Sequence, residues 1–147
     1  MGLEGALHQS GQHIPLLPAL TITTAVTAIT TTPVLLLSGM VYLVAPAVFV
    51  YGSGGTSADA YVQTSFDGGT TWVDVINFHF LTTTATKISA VTAFIAPASQ
   101  AFAPGDAALT ANTIIQGALG DRVRLKYTTV GTYGGSTTLQ VDAIAKG

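Results

Sequence analysis

The chain has 147 residues, five Lys and Arg against seven Asp and Glu for a formal net charge of −2, and no cysteine. That length suits one domain burying about 70% of its unfolded surface, and the missing cysteines exclude disulfide scaffolds, cysteine-based zinc sites and thiol nucleophiles. With 8% charged and 48% hydrophobic residues, the chain is neither a disordered charged tail nor a carrier of the positive field that nucleic-acid binding needs.

The first nineteen residues show neither a period of two nor a helical stripe. Gly2, Gly5, Gly11, Pro15 and Pro18 predict an extended N-terminal arm over 1–19, ahead of a domain spanning 20–147. Met1–Gln12 holds Glu4 and His8 and no basic n-region, so it does not read as a signal peptide. Ile14, Leu16 and Leu17 would each cost about 1.5–3 kcal/mol if left in water. They are therefore expected to lie on the domain itself or on a neighbouring subunit. In the second case, removing residues 1–18 would weaken assembly and leave the domain folded.

From residue 20 the chain reads as short strands separated by turns, at 20–29, 34–37, 40–51, 58–66, 71–80, 86–95, 112–116, 122–130 and 137–145. Residues 34–51 (VLLLSGMVYLVAPAVFVY) are nearly as long and apolar as a spanning helix of about 20 residues. Ser38-Gly39 and Pro46 interrupt that run, no Lys or Arg flanks it, and Val, Tyr and Phe favour strands. It reads as two buried strands rather than a membrane segment, with Pro46 expected at a break or bulge outside any central ladder. Eight or nine strands without a long amphipathic helix predict an all-β single domain, a sandwich of jelly-roll type. Between Glu4 and Asp59 there is no charged residue at all, and threonine runs such as Thr30–Thr32 take over the polar surface. A surface so poor in charge suits a protein held in a permanent assembly.

The segment 65–72, SFDGGTTW, matches the pattern Ser-x-Asp-x-Gly-x-Thr-Trp and so resembles the Asp-box of sialidases. Asp67 can accept turn N–H groups, Gly68 and Gly69 permit positive φ, and Trp72 covers the apolar side. In sialidases the motif repeats once per propeller blade and lies away from the catalytic site. One copy here implies a structural hairpin and no chemistry.

Arg122, Arg124 and Lys126 fall at i, i+2 and i+4. On a strand they share one face, a stripe about 13 Å long, with Val123, Leu125 and Tyr127 opposite. Either the stripe contacts an acidic neighbour or it is a solvated face partly paired by Asp121 or Asp142. His8 and His13 are five apart, a spacing that matches no zinc motif, and His79 points away from Phe78 and Phe80. Asp59, Asp67 and Asp74 form no D-x-D-x-D calcium loop, and Asp67 and Asp74 are expected as turn and strand-edge residues. Ser53 lacks the G-x-S-x-G context and no phosphate loop occurs. No catalytic residue, metal ligand or cofactor is assigned.

Taken together, YVQTSFDGGTTWVDVINFHF, the Thr-rich strand after it and LGDRVRLKYTTVGTYGGSTTLQVDAIAKG resemble the small β-sandwich virion proteins of tailed bacteriophages, over roughly residues 58–147. The resemblance implies a non-enzymatic structural protein that decorates or stabilises the capsid. It would act in the virion, assembled in the bacterial host cytoplasm, as a homo-oligomer such as a trimer. Its partners would be its own copies and the major capsid protein or other virion proteins, with Ile14, Leu16, Leu17, Arg122, Arg124 and Lys126 as interface candidates. The same resemblance admits a tail-tube or head–tail connector, whose long loop at 96–111 would touch the next ring. A carbohydrate-binding module is the expectation from another class, with Tyr133 in the 131–135 turn as its most exposed aromatic.

Overall fold

The computed structural model describes residues 11–93 and 105–147. Eleven strands are present and no helix occurs among the described residues: β1 (Gly11–Thr21), β2 (Val26–Thr30), β3 (Val34–Leu35), β4 (Tyr42–Val50), β5 (Ser53–Gly54), β6 (Ser57–Ser65), β7 (Val73–Phe80), β8 (Ala85–Thr92), β9 (Arg122–Val130), β10 (Tyr133–Gly134) and β11 (Thr138–Lys146). Three of these, β3, β5 and β10, are two-residue pieces, leaving eight longer strands. One sheet has the order β1-β11-β4-β8 and the other β2-β9-β6-β7, with β3 also on β9. Among the eight, the first pairs with the last, the second with the seventh, the third with the sixth and the fourth with the fifth. The chain is thus one long hairpin whose two arms pair and then wrap into a double-sheet jelly roll.

Alternation explains why these strands stack. In β4 the side chains of Leu43, Ala45, Ala47 and Phe49 are fully buried, and in β11 Leu139, Val141, Ala143 and Ala145 are too. The other sheet contributes Val62, Ile76, Phe78, Phe80, Val123 and Leu125 to the same core. Four alanines at the centre of one sheet make room for the large side chains of the other, so the layers close to the usual ~10 Å spacing. Phe49 and Phe80 stack at 5.2 Å across the interior, and Tyr133 meets Phe49 edge-on at 6.4 Å.

The N-terminal arm is the first correction. Gly11–Thr21 is a strand paired antiparallel to β11 from Gly11↔Lys146 to Thr21↔Thr138, and Ile14, Leu16 and Leu17 are buried in the domain's own core. Two register shifts, between Pro15 and Leu17 and between Leu17 and Leu20, hid the period of two from sequence inspection. Residues 1–10 of that arm lie outside the described residues.

The expected strand at 20–29 breaks after Thr21. Ile22 donates its N–H to Thr137 O, and β2 starts at Val26 with a bulge at Ala28, whose φ is 51°. Pro46 is also corrected, because it lies inside β4, the central strand between β11 and β8. Pairing with β8 runs unbroken through Pro46↔Ile88, whereas pairing with β11 skips from Val141↔Ala47 to Ile144↔Val44. That gap falls where a proline N–H would have bonded, so the ladder loses one donor and continues.

No strand forms at 112–116 either. There Ile114 makes a single bridge to Ile76, Ile115 N–H bonds Val75 O, and Asn77 N–H bonds Thr113 O. Gln116 then reaches the opposite sheet, accepting from Thr92 N–H and donating to Ala90 O. The segment caps the open edges of both β7 and β8.

Since β1 is integral, deleting residues 1–18 is expected to unfold the domain rather than release a dispensable arm. Loss of three buried side chains alone removes about 1.5–3 kcal/mol each. Far-ultraviolet circular dichroism and a urea titration check this; a truncated chain with an unchanged midpoint would contradict it.

Candidate functional site: an ionic network beside the aspartate turn

The outer face of β6, β7 and β9 gathers two cations and two carboxylates into one network. Register puts Arg124, Gln63 and Asp74 in one row across the three strands, and Lys126, Tyr61 and Asn77 in the next. Asp74 reaches this face only through a bulge: pairing passes from Val62↔Ile76 to Gln63↔Asp74. Without the extra residue, alternation from His79 and Asn77 would point Asp74 into the core.

Gln63 is fully buried at the centre. Its Nε2 donates to Asp74 Oδ1 at 2.7 Å and to Asp106 Oδ1 at 2.6 Å, and its Oε1 accepts from Arg124 Nε at 2.7 Å. Lys126 Nζ lies 2.7 Å from Asp106 Oδ1 and 3.0 Å from Asp74 Oδ1. Leu109 N–H adds a bond to Asp74 Oδ2 at 3.0 Å. Aromatic faces complete the enclosure, with Arg124 over Trp72 at 4.2 Å and Lys126 over Tyr61 at 4.6 Å. The Lys126 and Asp74 side chains are 5% and 2% exposed, whereas that of Asp106 is 51% exposed. Burial raises the Asp106 carboxyl, but hydrogen bonds from Lys126 and Gln63 and the charges of Lys126 and Arg124 outweigh it and hold it below the usual carboxylate range. Burial lowers the Arg124 guanidinium, opposed by the charges of Asp106 and Asp74. Two cations and two carboxylates balance, so the network is neutral.

The basic stripe is therefore corrected. Arg124 and Lys126 are spent inside the chain, and their partners are Asp74 and Asp106 rather than Asp121 or Asp142. Arg122 is half-buried beside Gly69. Ile14, Leu16 and Leu17, the other interface candidates, belong to the core. Asp74 lies near the start of the edge strand β7, as expected, but it is buried rather than exposed there.

The aspartate turn forms as expected. Asp67 Oδ1 accepts from Thr70 N–H at 3.1 Å, Thr71 N–H at 2.9 Å and Ser65 Oγ at 2.9 Å, and Oδ2 accepts from Thr71 Oγ1 at 2.6 Å. Gly68 and Gly69 have φ of 74° and 94°. Trp72 packs beneath, its Nε1 donating to Gly69 O at 3.1 Å. A shallow cleft of about 410 Å³ lies between this turn, Trp72, Arg124 and Asp106.

A second polar cluster lies along β7. His79 Nδ1 is 2.8 Å from Asp59 Oδ1, and Asn77 Nδ2 also bonds Asp59. Asn112 accepts from His79 N–H and from Lys87 Nζ. Every bond in both clusters ties the 105–121 segment to the sheet or one strand to the next. Among the described residues no group of three His, Asp, Glu or Cys side chains could hold a metal ion. Tyr133, expected at the surface, is only 5% exposed. Gly55 has φ +64° and no side chain, and a Cβ there would fall 2.1 Å from the Tyr133 ring, so glycine lets the tyrosine fold inward.

Lys126→Met is expected to cost about 3–5 kcal/mol, because it leaves Asp74 buried without its cation; urea denaturation measures it, and a cost under 1 kcal/mol would contradict the network. The second expectation concerns acid. Hydrogen bonds from the hydroxyl and N–H of Thr71 lower Asp67 from 3.8 to about 2. A carboxyl depressed in the folded state stabilises it above its unfolded pKa and loses that contribution as pH falls through the folded one. Wild type should lose stability relative to Asp67→Asn between pH 3.8 and about 2, read from melting temperatures across that window. No protein-family model matches the sequence, and comparison with curated proteins finds no significant match.

Proposed function

We propose that the chain is a structural protein of a tailed-bacteriophage particle, decorating or stabilising the capsid as a symmetric homo-oligomer through contacts with the major capsid protein or other virion proteins. The observation that carries the reading is the disposition of charge. Four of the few ionised side chains neutralise one another on one sheet face, while the outward row of the central strand on the other sheet is Tyr42, Val44, Pro46, Val48 and Val50. Such a protein is built to adhere rather than to turn over a substrate. Jelly rolls serve in capsids and lectins alike, so the fold adds no preference between them.

The tail-tube and connector alternative needs the 96–111 loop free to meet a neighbouring ring. Its residues 96–104 lie outside the described residues, and Asp106 and Leu109 are bonded to Lys126, Gln63 and Asp74. The carbohydrate-binding reading loses its leading platform with the burial of Tyr133.

Quantitative mass spectrometry of gradient-purified particles, from the phage whose genome encodes the chain, tests the proposal. The expected result is a fixed ratio to the major capsid protein, retained when tails are removed. Absence from particles overturns it, and loss with the tails transfers the chain to the tail reading.

A further inference from the structure

Lys126 and Asp74 meet in a way that an ordinary ion pair does not require. Nζ lies 3.0 Å from Asp74 Oδ1 and 3.2 Å from Oδ2, so it faces the carboxyl carbon rather than one oxygen. Those two distances put nitrogen and carbon about 3–3.5 Å apart, the separation of a near-attack pair. Both side chains are almost fully buried, and Lys126 lies over the Tyr61 ring.

The groups around the pair supply what an amide condensation needs. Asp106 Oδ1 is 2.7 Å from the same Nζ and is placed to take its proton. Asp74 Oδ1 and Asp106 Oδ1 share two donors, Lys126 Nζ and Gln63 Nε2, so a proton taken from the nitrogen sits beside the oxygen that must leave. Leu109 N–H, 3.0 Å from Asp74 Oδ2, is placed to hold the negative charge that develops there. Desolvation opposes keeping two ions buried, and condensation abolishes both charges. Groups held this way react at effective concentrations of about 10⁵–10⁸ M, far above that of the water that would reverse the step.

We infer that Lys126 and Asp74 condense into an intramolecular isopeptide bond, with Asp106 carrying the protons. A first proton passes from Nζ by way of Asp106 to Asp74 Oδ1, leaving a neutral amine beside a neutral acid. The amine adds to Cγ and forms the C–N bond. A second proton follows the same route, the C–Oδ1 bond breaks, and Oδ1 leaves as water. Asp106 ends as the carboxylate it was, and nothing is oxidised or reduced. Arg124 and Asp106, 3.7 Å apart, remain as a balanced pair. The bond ties β7 to β9 across β6 in a chain without cysteine, and such a cross-link stabilises mainly by restricting the unfolded chain. This goes beyond the virion reading and does not depend on it.

Intact-mass spectrometry of the full chain, unfolded in acid after one week folded at neutral pH, tests it. The expected mass is lower than the sequence mass by one water, about 18 Da. A tryptic digest should then hold a branched species in which residues 1–87 are joined to 125–146. Lys126→Arg keeps the charge but has no primary amine to acylate, and should lose no water. Asp74→Asn should form the same amide by losing ammonia instead, about 17 Da. Asp106→Asn should slow the step by at least about 100-fold, with melting curves to show that each variant is folded. A wild-type chain at full mass overturns the inference whatever the variants do. So does a digest without the branched species, or a water loss that survives Lys126→Arg, which would place the dehydration elsewhere, as at Asp67-Gly68. An Asp106→Asn chain that reacts at the wild-type rate overturns the part given to Asp106.

Discussion

The pairing of the first long strand with the last constrains the rest of the molecule. β1 and β11 are separated by more than a hundred residues, yet they pair from Gly11↔Lys146 to Thr21↔Thr138 across two register shifts. With that pair closed, every later strand must find its partner inward along the same double arm. β4 and β11 then become central in one sheet, and β6 and β9 in the other. Loop-closure entropy must be met before most of these contacts form, so the topology implies slow folding compared with a helical domain of equal size.

Centrality gives the two outer faces different tasks. On β6 and β9 the outward positions hold Tyr61, Gln63, Arg124 and Lys126, and the 105–121 segment lies across them. Buried ion pairs seldom add much net stability over well-packed apolar groups, because desolvation offsets the Coulomb gain. Their effect here is geometric. Asp106 and Leu109 are bonded from one side, and Asn112, Thr113 and Ile115 are bonded to β7, so one arrangement of the segment satisfies all the donors at once. That segment continues to Gln116 and joins the two sheets at their open side. The network thus anchors one end of the segment whose other end, at Gln116, closes the sandwich.

Strand character was legible wherever the period of two ran unbroken. β9 occupies the same residues, Arg122–Val130, that alternation marks, and β4, β6 and β7 agree to within two residues at either end. Bulges erased the signal elsewhere. β1 carries two and reads as an arm, and the bulge at Val62/Gln63 inverted Asp74 from the core side to the outer face. The turn at Asp67 was readable because all its bonds lie within four residues. The ionic network was not, since Gln63, Asp74, Asp106 and Lys126 meet only after three strands and a loop have assembled. The common face of Arg124 and Lys126 followed from their spacing, while their partners depended on topology. Burial of Tyr133 turns on Gly55, 78 residues away, and a glycine-rich turn looks exposed until its neighbour is placed.

A chain with five cations and seven acids has little charge with which to keep its copies apart. Each ionised group consumed in the network on β6, β7 and β9 is one fewer available for that purpose. What then remains outward on β4 of the opposite sheet is Tyr42, Val44, Pro46, Val48 and Val50, a row without charge. A row without charge neither repels its copies nor prefers a charged stranger, and it suits contacts whose strength comes from repetition. In a symmetric particle many such contacts act together, so each can be weak enough to form and correct itself during assembly and still hold once the shell is closed.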